Sequence, residues 1–420
     1  MKRSLAFIPL HLSIKHGVAP TRKVASSYDR IKQMVFSTVA SERSNNYEVE
    51  SPFEHDYLDP DNTFIEKMRD GGLLASARNG HIPEENRFHQ PIVYHPNYSF
   101  KEWPEKQTFP MTKFYHLANS LLEKKSHLPR PLVRSPDDFF EPLNERDLPR
   151  SWFSNVISPK FLDRFLSSSL TVEEERRIGF RECCKMEQVK RRTILEVGGT
   201  ILAAQLAFRY GLATNAAGGT HHADSEKGAG YTILNDLAVT ANFLLDERLN
   251  GGTIKGVKKV LVIDCDVHQG DGTAKFGPVI GDSLVTLSLH CASNYPTPKA
   301  ESTYDIPLPD NMEDEEYMQV LKKSVNLALA ESNPDFVLYD AGIDVHKDDF
   351  LGRLSLTTEG IRKRDRWVIE TCVEKGIPIA CVIGGGYGKD PDKLARRHSI
   401  VHEEAAFVWR KYNLWNRRIL

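Results

Sequence analysis

A buried-strand pattern that runs directly into metal-binding side chains constrains this chain more than any other feature. The apolar run at residues 260–263 (VLVI) is followed by Asp264, Asp266 and His268 at alternate positions. Side chains two residues apart on a strand point to the same face, so two carboxylates and an imidazole converge where this strand leaves its sheet. Two carboxylates on one face repel each other unless a cation lies between them. The stretch therefore predicts part of a metal site.

Strand and helix patterns alternate along the chain from residue 91 onwards. Apolar runs predict strands at residues 91–94, 213–217, 260–263, 283–289, 336–339 and 377–383. Helical periodicity predicts helices at residues 111–125, 171–191, 193–210, 235–249, 316–331, 358–374 and 392–412. Residues 290–309 are predicted to form a proline-rich loop. This alternation indicates an α/β domain with a mainly parallel sheet.

The first 90 residues differ in charge from the rest. Residues 1–41 hold seven Lys or Arg and one acid, which is typical either of an organellar transit peptide or of a basic tail that is not a targeting signal. Residues 46–90 are rich in Asp and Glu, which predicts a polar extension or linker. We therefore expect a basic tail at residues 1–45, an acidic extension at 46–90 and a catalytic domain at 91–415. A transit peptide would direct the protein to a mitochondrion or plastid, and a plain tail would leave it in the nucleus or cytoplasm.

Composition excludes several classes of function. The net charge of -2 argues against a protein that binds nucleic acid directly through a basic surface. No run approaches the ~18 apolar residues of a membrane-spanning helix. The six cysteines are scattered without a CxxC pair, which indicates buried free thiols rather than disulfides. The sequence says nothing about oligomeric state.

Other side chains of catalytic type follow other predicted strands. His221 and His222 follow the alanine-rich run at 213–217, Asp344 follows the strand at 336–339, and Tyr387 follows the strand at 377–383. Each alone has an ordinary structural explanation, since an Asp after a strand is often a helix N-cap. In open parallel sheets, however, ligands bind at the carboxyl ends of the strands. Together these residues and the Asp264–His268 stretch predict one shared site.

The residue types at these ends suit zinc hydrolysis. A catalytic zinc takes three protein ligands and leaves a position open for water, and Asp266, His268 and Asp344 supply such a set. Zinc lowers the pKa of bound water from ~15.7 to about 7. His222 can then serve as general base and acid, and Tyr387 can donate a hydrogen bond to the developing oxyanion.

Three further residues are expected to support these groups. His221 would be an accessory, charged imidazole. Asp264 and Asp271 are suited to orient the two imidazoles of the His-His pair through hydrogen bonds.

The motifs resemble those of the histone deacetylase superfamily. The matching segments, in the family's order, are GGTHHADSEKGAGYTILND at 218–236, VIDCDVHQGDG at 262–272, DAGIDVHKDD at 340–349 and IGGGY at 383–387. Gln269, where many members have a second histidine, resembles class IV and bacterial members. The resemblance implies a three-layer α-β-α architecture of the arginase/deacetylase type.

The resemblance also implies roles for individual residues. It gives the same zinc ligands, pairs Asp264 with His221 and Asp271 with His222, and makes Tyr387 the group that polarises the amide carbonyl. Tyr231, beside Gly230, falls where the family has one wall of an acyl-lysine tunnel, and Tyr295 matches the opposite wall. A structural potassium ion near Asp264, with Ser288 contributing, is typical of the family.

Two departures concern substrate choice. Where the family often reads His-Asp-Pro-x-Tyr, this chain has Ile-Ser-Pro-Lys-Phe at residues 157–161. The rim Asp that grips the peptide backbone in many relatives has no identified counterpart. We expect a zinc-dependent amidohydrolase that removes acyl groups, foremost acetyl, from lysine side chains of histones or other proteins. The alternatives are a deacylase of acetylpolyamines or long-chain acyl-lysine, and a catalytically silent module that binds acyl-lysine.

Overall fold

The computed structural model describes residues 87–125 and 127–416 of the chain. The predicted basic tail and nearly all of the predicted acidic extension lie outside these residues. The described end of that extension packs on the domain, because the indole of Trp409 donates to the carbonyl of Arg87 and a guanidinium N–H of Arg410 donates to the carbonyl of Phe88.

A seven-stranded parallel sheet forms the centre of the domain, in the order β1-β2-β7-β6-β3-β4-β5. The strands are β1 (Ile92–Val93), β2 (Leu212–Asn215), β3 (Val260–Asp264), β4 (Leu284–Cys291), β5 (Tyr304–Leu308), β6 (Phe336–Asp340) and β7 (Ile379–Val382). All strands except β5 are buried along their whole length, as expected for a parallel sheet with helices on both faces. The predicted α/β class and parallel sheet are confirmed.

The helices are α1 (Lys113–Leu122), α2 (Arg150–Ser154), α3 (Pro159–Leu166), α4 (Val172–Ile178), α5 (Glu187–Tyr210), α6 (Asp236–Leu245), α7 (Asp271–Ala274), α8 (Gly277–Ile280), α9 (Asp314–Ser332), α10 (Thr358–Glu374) and α11 (Pro391–Lys411). Short 3-10 helices lie at Pro96–Tyr98, Pro136–Asp138, Arg181–Lys185 and Leu414–Asn416. None of the helices within the described residues is long and apolar enough to cross a membrane. All six cysteines are buried and unpaired, in line with the prediction of free thiols.

Local sequence signals set several helix ends. Asn235 caps α6 by accepting a hydrogen bond from the N–H of Ala238, and Thr357 caps α10 in the same way through Gly360. Helix α5 ends at Gly211, whose left-handed conformation (φ 90°) suits a residue without a side chain. These caps explain why the predicted bounds of α10 agree with the structure and why α6 begins where its periodicity begins.

The prediction of one helix at 171–191 is wrong. Helix α4 ends at Gly179, which adopts φ 93°, and α5 begins only at Glu187 after a 3-10 turn. A side chain at Gly179 would meet the ring of Tyr231 at 2.8 Å, so the chain turns here to make room for that ring. Helical periodicity continues across the break and conceals it.

The prediction of a loop over residues 290–309 is also wrong in part. Residues 304–308 form β5, which pairs with β4 alone at the edge of the sheet. Pro307 lies in this strand opposite His290. Proline is compatible with an edge strand because that strand needs hydrogen-bond donors on one side only, yet it counts against a strand in the sequence.

The strand order brings the predicted site together. The four strands followed by candidate residues, β2, β7, β6 and β3, are consecutive neighbours in the sheet. Because all are parallel, their carboxyl ends lie along one edge. Residues separated by up to 166 positions in sequence therefore reach one place, as the next section describes for His221 and Tyr387.

We predict that buried His402 makes stability pH-dependent. Burial lowers the pKa of His402 from 6.5 to about 3. Its folded pKa is lower than its unfolded pKa, so the stabilisation present above pH 6.5 is lost as the pH falls towards 3. His402→Asn should reduce the loss of unfolding free energy between pH 7 and pH 5 by roughly 1–2 kcal/mol, measured by urea denaturation.

Between pH 7 and pH 8 the unfolding free energies of this variant and the parent should change in parallel, which controls for its general destabilisation. An unaltered change between pH 7 and pH 5 would contradict the assignment.

Candidate active site and metal centre

The loop that carries the two histidines follows β2 and is held by a buried carboxylate. Asp236, at the start of α6, accepts hydrogen bonds from the N–H groups of Gly219 (3.2 Å) and Thr220 (2.8 Å). It also accepts from the hydroxyls of Thr200 and Thr220. The backbone of this loop is thus fixed by a side chain of the following helix, and His221 and His222 project from it into the edge of the sheet.

The predicted ligands Asp266, His268 and Asp344 lie together. Nδ1 of His268 is 3.0 Å from Oδ1 of Asp266 and 3.1 Å from Oδ2 of Asp344. All three side chains are buried. The remaining carboxylate oxygens accept backbone hydrogen bonds, Asp266 from Gly385 (2.7 Å) and Asp344 from Val267 (2.8 Å). One oxygen of each carboxylate and one imidazole nitrogen are left facing a common point.

The charges of this cluster favour a cation. Burial and the charge of Asp266 raise the pKa of Asp344 to about 7. Despite burial, hydrogen bonds to the two carboxylates raise the pKa of His268 to about 10. In the protein alone, a proton on His268 therefore offsets the two carboxylates. The two carboxylate oxygens and the imidazole nitrogen are a donor set that zinc takes in catalytic sites, so the residues fit a zinc ion.

His221 lies between carboxylates. Its Nδ1 is 2.8 Å from Oδ2 of Asp264 and 3.7 Å from Oδ2 of Asp340, and its Nε2 is 3.8 Å from Oδ1 of Asp266. Burial would lower the pKa of His221, but the charges of Asp264 and Asp266 outweigh it and raise this pKa well above 6.5. The geometry agrees with the predicted pair of Asp264 and His221, and it makes His221 a charged imidazole.

His222 has a different partner and a different charge. Its Nδ1 is 2.7 Å from Oδ1 of Asp271, whose other oxygen accepts from Nζ of Lys275 at 2.7 Å. Burial and the charge of His221 lower the pKa of His222 to about 3. His222 is therefore neutral near pH 7, with Nε2 free of the Asp271 interaction. The structure brings the predicted pair of Asp271 and His222 together.

Tyr387 reaches the same cavity from the turn after β7. Its ring centroid lies 6.2 Å from that of His268 and 5.8 Å from that of Tyr231. Its backbone N–H donates to Oδ2 of Asp349 at 2.7 Å. Burial and the charges of Asp266 and Asp344 raise the pKa of Tyr387 well above 10, so its phenol keeps its proton.

The two predicted wall residues line one opening of about 350 Å³ together with His222, His268 and Tyr387. Tyr231 has φ 65° and its hydroxyl is 2.6 Å from Oγ1 of Thr108. The ring of Tyr295 lies 4.8 Å from that of His222, and Tyr295 is 45% exposed at the mouth. Gly230 must be glycine here, because a side chain would meet Cδ2 of His222 at 2.5 Å.

Residues that the sequence reasoning did not single out close the inner end of the cavity. Nζ of Lys113 donates to the carbonyl of Gly384 at 3.3 Å and lies over the rings of Phe109 and Phe114. Behind it, Arg192 and Glu196 form a buried ion pair at 2.9 Å. The inner pocket between these groups and the histidine loop has room for about 30 Å³.

Asp340 and Asp349 were also missed. Asp340 is fully buried, and neither of its carboxylate oxygens has a hydrogen-bond partner within the described part of the chain. The only signal for Asp340 is that it ends an apolar strand four residues before Asp344.

Ser288, expected near a potassium ion, is the register partner of Asp264, and its hydroxyl is 3.1 Å from Nδ1 of His290.

Comparisons with known proteins show the family to which this chain belongs. The family model described as the histone deacetylase domain matches residues 109–403. An uncharacterized protein of Picosynechococcus sp. is 41% identical over 320 residues, covering 76% of this chain and 99% of that protein. Histone deacetylase 2 of Arabidopsis thaliana is 33% identical over 204 residues, covering 47% of this chain and 50% of that protein.

A solved structure gives the same fold. The crystal structure of an HDAC homolog complexed with SAHA aligns with a TM-score of 0.57 at 20% identity, covering 79% of this chain and 85% of that one. This parallel α/β domain therefore has the arginase/deacetylase fold. The chain is a member of the histone deacetylase family. Membership of this family supports deacetylase activity, which is the hydrolysis of an amide bond.

We predict that Gly385→Ala weakens zinc binding. A Cβ at this position would lie 2.5 Å from Oδ2 of Asp266 and would also collide with Oδ2 of Asp344, so both expected ligands must shift. Loss of such supporting geometry typically costs ten- to a hundredfold in metal affinity, and we expect about tenfold or more in a competitive titration with a chromogenic chelator.

The matched control is Gly388→Ala, three residues further on. Its Cβ would make ordinary contacts with Leu394 at 3.6 Å or more, so its zinc affinity should equal that of the parent. Equal affinity in Gly385→Ala would mean that Asp266 and Asp344 are not the ligands.

Proposed function

We propose that the protein is a zinc-dependent hydrolase that removes acetyl groups from lysine side chains of histones or other proteins. The observation that carries this proposal is one cavity bordered by the cluster of Asp266, His268 and Asp344, by neutral His222 and by the phenol of Tyr387. These are the groups that amide hydrolysis requires: a metal site, a base and an oxyanion donor.

The cluster of Asp266, His268 and Asp344 would hold the zinc ion. When bound there, zinc supplies Lewis acidity that polarises the acyl carbonyl and acidifies water. Asp264 and its register partner Ser288 are the residues on which we base a structural potassium ion as a second, subordinate part of the proposal.

His222 would move the proton. Its Nδ1–H donates to Asp271, so Nε2 carries the lone pair and faces the cavity. Nε2 takes a proton from the attacking water as the new C–O bond forms at the amide carbon. The same nitrogen then returns this proton to the lysine nitrogen as the C–N bond breaks, which leaves a carboxylic acid and an amine. The second proton of the water passes from the acid to the amine, so the products are a carboxylate and an ammonium.

Tyr387 and His221 would stabilise charge. The high pKa of Tyr387 keeps its phenol protonated, so it can donate to the carbonyl oxygen as negative charge develops there. His221 is cationic beside Asp264, and its Nε2 faces the Asp266 side of the site, where it adds positive potential.

The inner pocket favours a short acyl group. Its lining is largely polar and includes the charged side chains of Lys113, Arg192 and Glu196. A longer hydrocarbon chain would have to displace the buried ammonium of Lys113 and the Arg192–Glu196 pair, which costs free energy because buried charges need partners. This arrangement favours acetyl over long-chain acyl-lysine.

We predict that Tyr387→Phe lowers kcat for acetyl-lysine peptides by about 10²–10³-fold, because one oxyanion donor is lost. Zinc affinity should stay within twofold, since the ring does not contribute a ligand. The control is Tyr115→Phe, which removes a hydroxyl from a 55% exposed tyrosine and should leave kcat unchanged. Mass-spectrometric turnover of zinc-loaded protein provides the measurement.

Two outcomes would reject the proposal. Wild-type turnover in Tyr387→Phe would show that Tyr387 is not the oxyanion donor. Binding of acetyl peptide by zinc-loaded parent protein without turnover would favour the alternative of a silent acyl-lysine module.

We further predict that kcat/KM falls with acyl length. Acetyl-lysine should be hydrolysed at least about a hundredfold faster than octanoyl- or myristoyl-lysine in the same peptide, which corresponds to roughly 3 kcal/mol of transition-state free energy. Preference for the long chains would show that the inner pocket opens, and preference for an acetylpolyamine over the peptide would assign a small-molecule substrate.

A further inference from the structure

Arg364 is a buried arginine beneath the metal cluster. It lies on α10, has no exposed surface, and is distant in sequence from every residue of the site. Its Nε donates to Oδ1 of Asp365 at 2.8 Å. A buried guanidinium is costly unless its charge is paired and its donors are satisfied. The partners of its remaining N–H groups therefore indicate what Arg364 does.

Those N–H groups bind the backbone next to the expected ligands. Nη1 donates to the carbonyls of Cys265 (3.1 Å) and Gly342 (2.7 Å), and Nη2 donates to the carbonyl of Ala341 (3.2 Å). Cys265 immediately precedes Asp266. Ala341 and Gly342 lie in the three-residue segment between the end of β6 and Asp344. One planar group thus bridges the backbone that follows β3 and the backbone that follows β6.

The two bridged segments are in close contact and have little freedom. The N–H of Cys265 donates to the carbonyl of Asp340 at 3.0 Å, which is a direct link between them where the strands end. A side chain at Gly342 would meet Oδ2 of Asp266 at 2.5 Å. A small displacement between the segments therefore changes the separation of the carboxylates of Asp266 and Asp344.

We propose that Arg364 is a positioning residue for the metal site, which sets the distance between the carboxylates of Asp266 and Asp344 by holding three backbone carbonyls with one guanidinium group. This inference rests on the proposed zinc site. The rigid fork of the guanidinium performs the task, since lysine has one compact ammonium that cannot reach carbonyls on both segments with the same geometry.

The carboxylate of Asp365 fixes the fork in turn. Its Oδ1 accepts from Nε of Arg364 and from the hydroxyl of Tyr339 at 2.7 Å, and Tyr339 belongs to β6. The orientation of the guanidinium is thereby tied to the same strand whose end it holds.

Two other arginines of α10 serve as matched comparisons. Arg362 binds the carboxylates of Glu403 and Glu404, and Arg366 binds Glu404, all on α11. These ion pairs join two helices and do not involve the metal segments. Removing Arg362 tests what the loss of a partly buried arginine on this helix does to stability alone.

The experiment compares Arg364→Lys, Arg364→Met and the control Arg362→Met as purified full-length protein. Zinc affinity is measured by chelator competition, ligand geometry by the visible absorption of the Co²⁺-substituted protein, and stability by thermal unfolding of the metal-free protein. We expect both Arg364 variants to bind zinc about ten- to a hundredfold more weakly and to alter the Co²⁺ spectrum. Arg362→Met should lower Tm while its zinc affinity stays within twofold and its spectrum is unchanged.

Parent-like zinc affinity and Co²⁺ spectrum in folded Arg364→Lys would overturn the inference. An equal loss of affinity in Arg362→Met would also overturn it, because the effect would then be general destabilisation. Should both Arg364 variants fail to fold, Asp365→Asn decides: it keeps the arginine but weakens its anchor, so zinc affinity should fall by threefold or more, and parent affinity counts against the inference.

Asp266→Ala separates this inference from the proposed function. If Asp266→Ala retains parent zinc affinity, the proposed metal site itself is wrong. If Asp266→Ala abolishes zinc binding while Arg364→Lys preserves it, only the role of Arg364 is wrong.

Discussion

Repulsion among buried carboxylates at the ends of two adjacent strands is the constraint on which the rest of this structure depends. Asp264 and Asp266 at the end of β3 face Asp340 and Asp344 at the end of β6, and all four are buried. Burial and the charge of Asp264 raise the pKa of Asp340 well above its usual value, so a proton on Asp340 relieves part of this repulsion. Cations offset the remaining negative charge, and they lie in separate places.

Each positive group neutralises a different set of these carboxylates. His221 balances Asp264 on the side of β2, while the proposed zinc ion would balance the cluster of Asp266, His268 and Asp344. His222 stays neutral because burial and the charge of His221 lower its pKa to about 3, and the carboxylate of Asp271 does not outweigh them. The division of two adjacent histidines into one charged and one neutral imidazole therefore follows from which carboxylates each one meets.

The sequence predicted the parts of the site that follow strands. The alternation of Asp264, Asp266 and His268 depends on strand geometry alone. The structure places Asp266 and His268 with Asp344, and His268 lines one cavity with His222 and Tyr387. Local sequence patterns could not predict the strand order that makes β2, β7, β6 and β3 neighbours, since pairing between distant strands leaves no local pattern. Only the resemblance to a known family implied this arrangement.

What local pattern reasoning missed has identifiable physical causes. Edge strand β5 contains Pro307, which is compatible with one-sided pairing but reads as a loop. The break at Gly179 is made by a tertiary contact with Tyr231, so the helical periodicity around it gives no warning. Arg364 lies in an amphipathic helix, where a charged residue is expected to face solvent, although Arg364 is fully buried.

Buried charged side chains that fix backbone are a common feature of the loops around the site. Asp236 holds the histidine loop through the N–H groups of Gly219 and Thr220, and Asp349 holds the N–H of Tyr387. Carboxylates thus bind loops through their N–H groups, whereas Arg364 binds its segments through carbonyls. A donor side chain suits this position because the strand ends beneath the proposed metal site present carbonyl oxygens, and the charge of Arg364 is itself paired with Asp365. Arg364 therefore acts on the ligand segments through hydrogen bonds to their carbonyls, while Asp365 balances its charge.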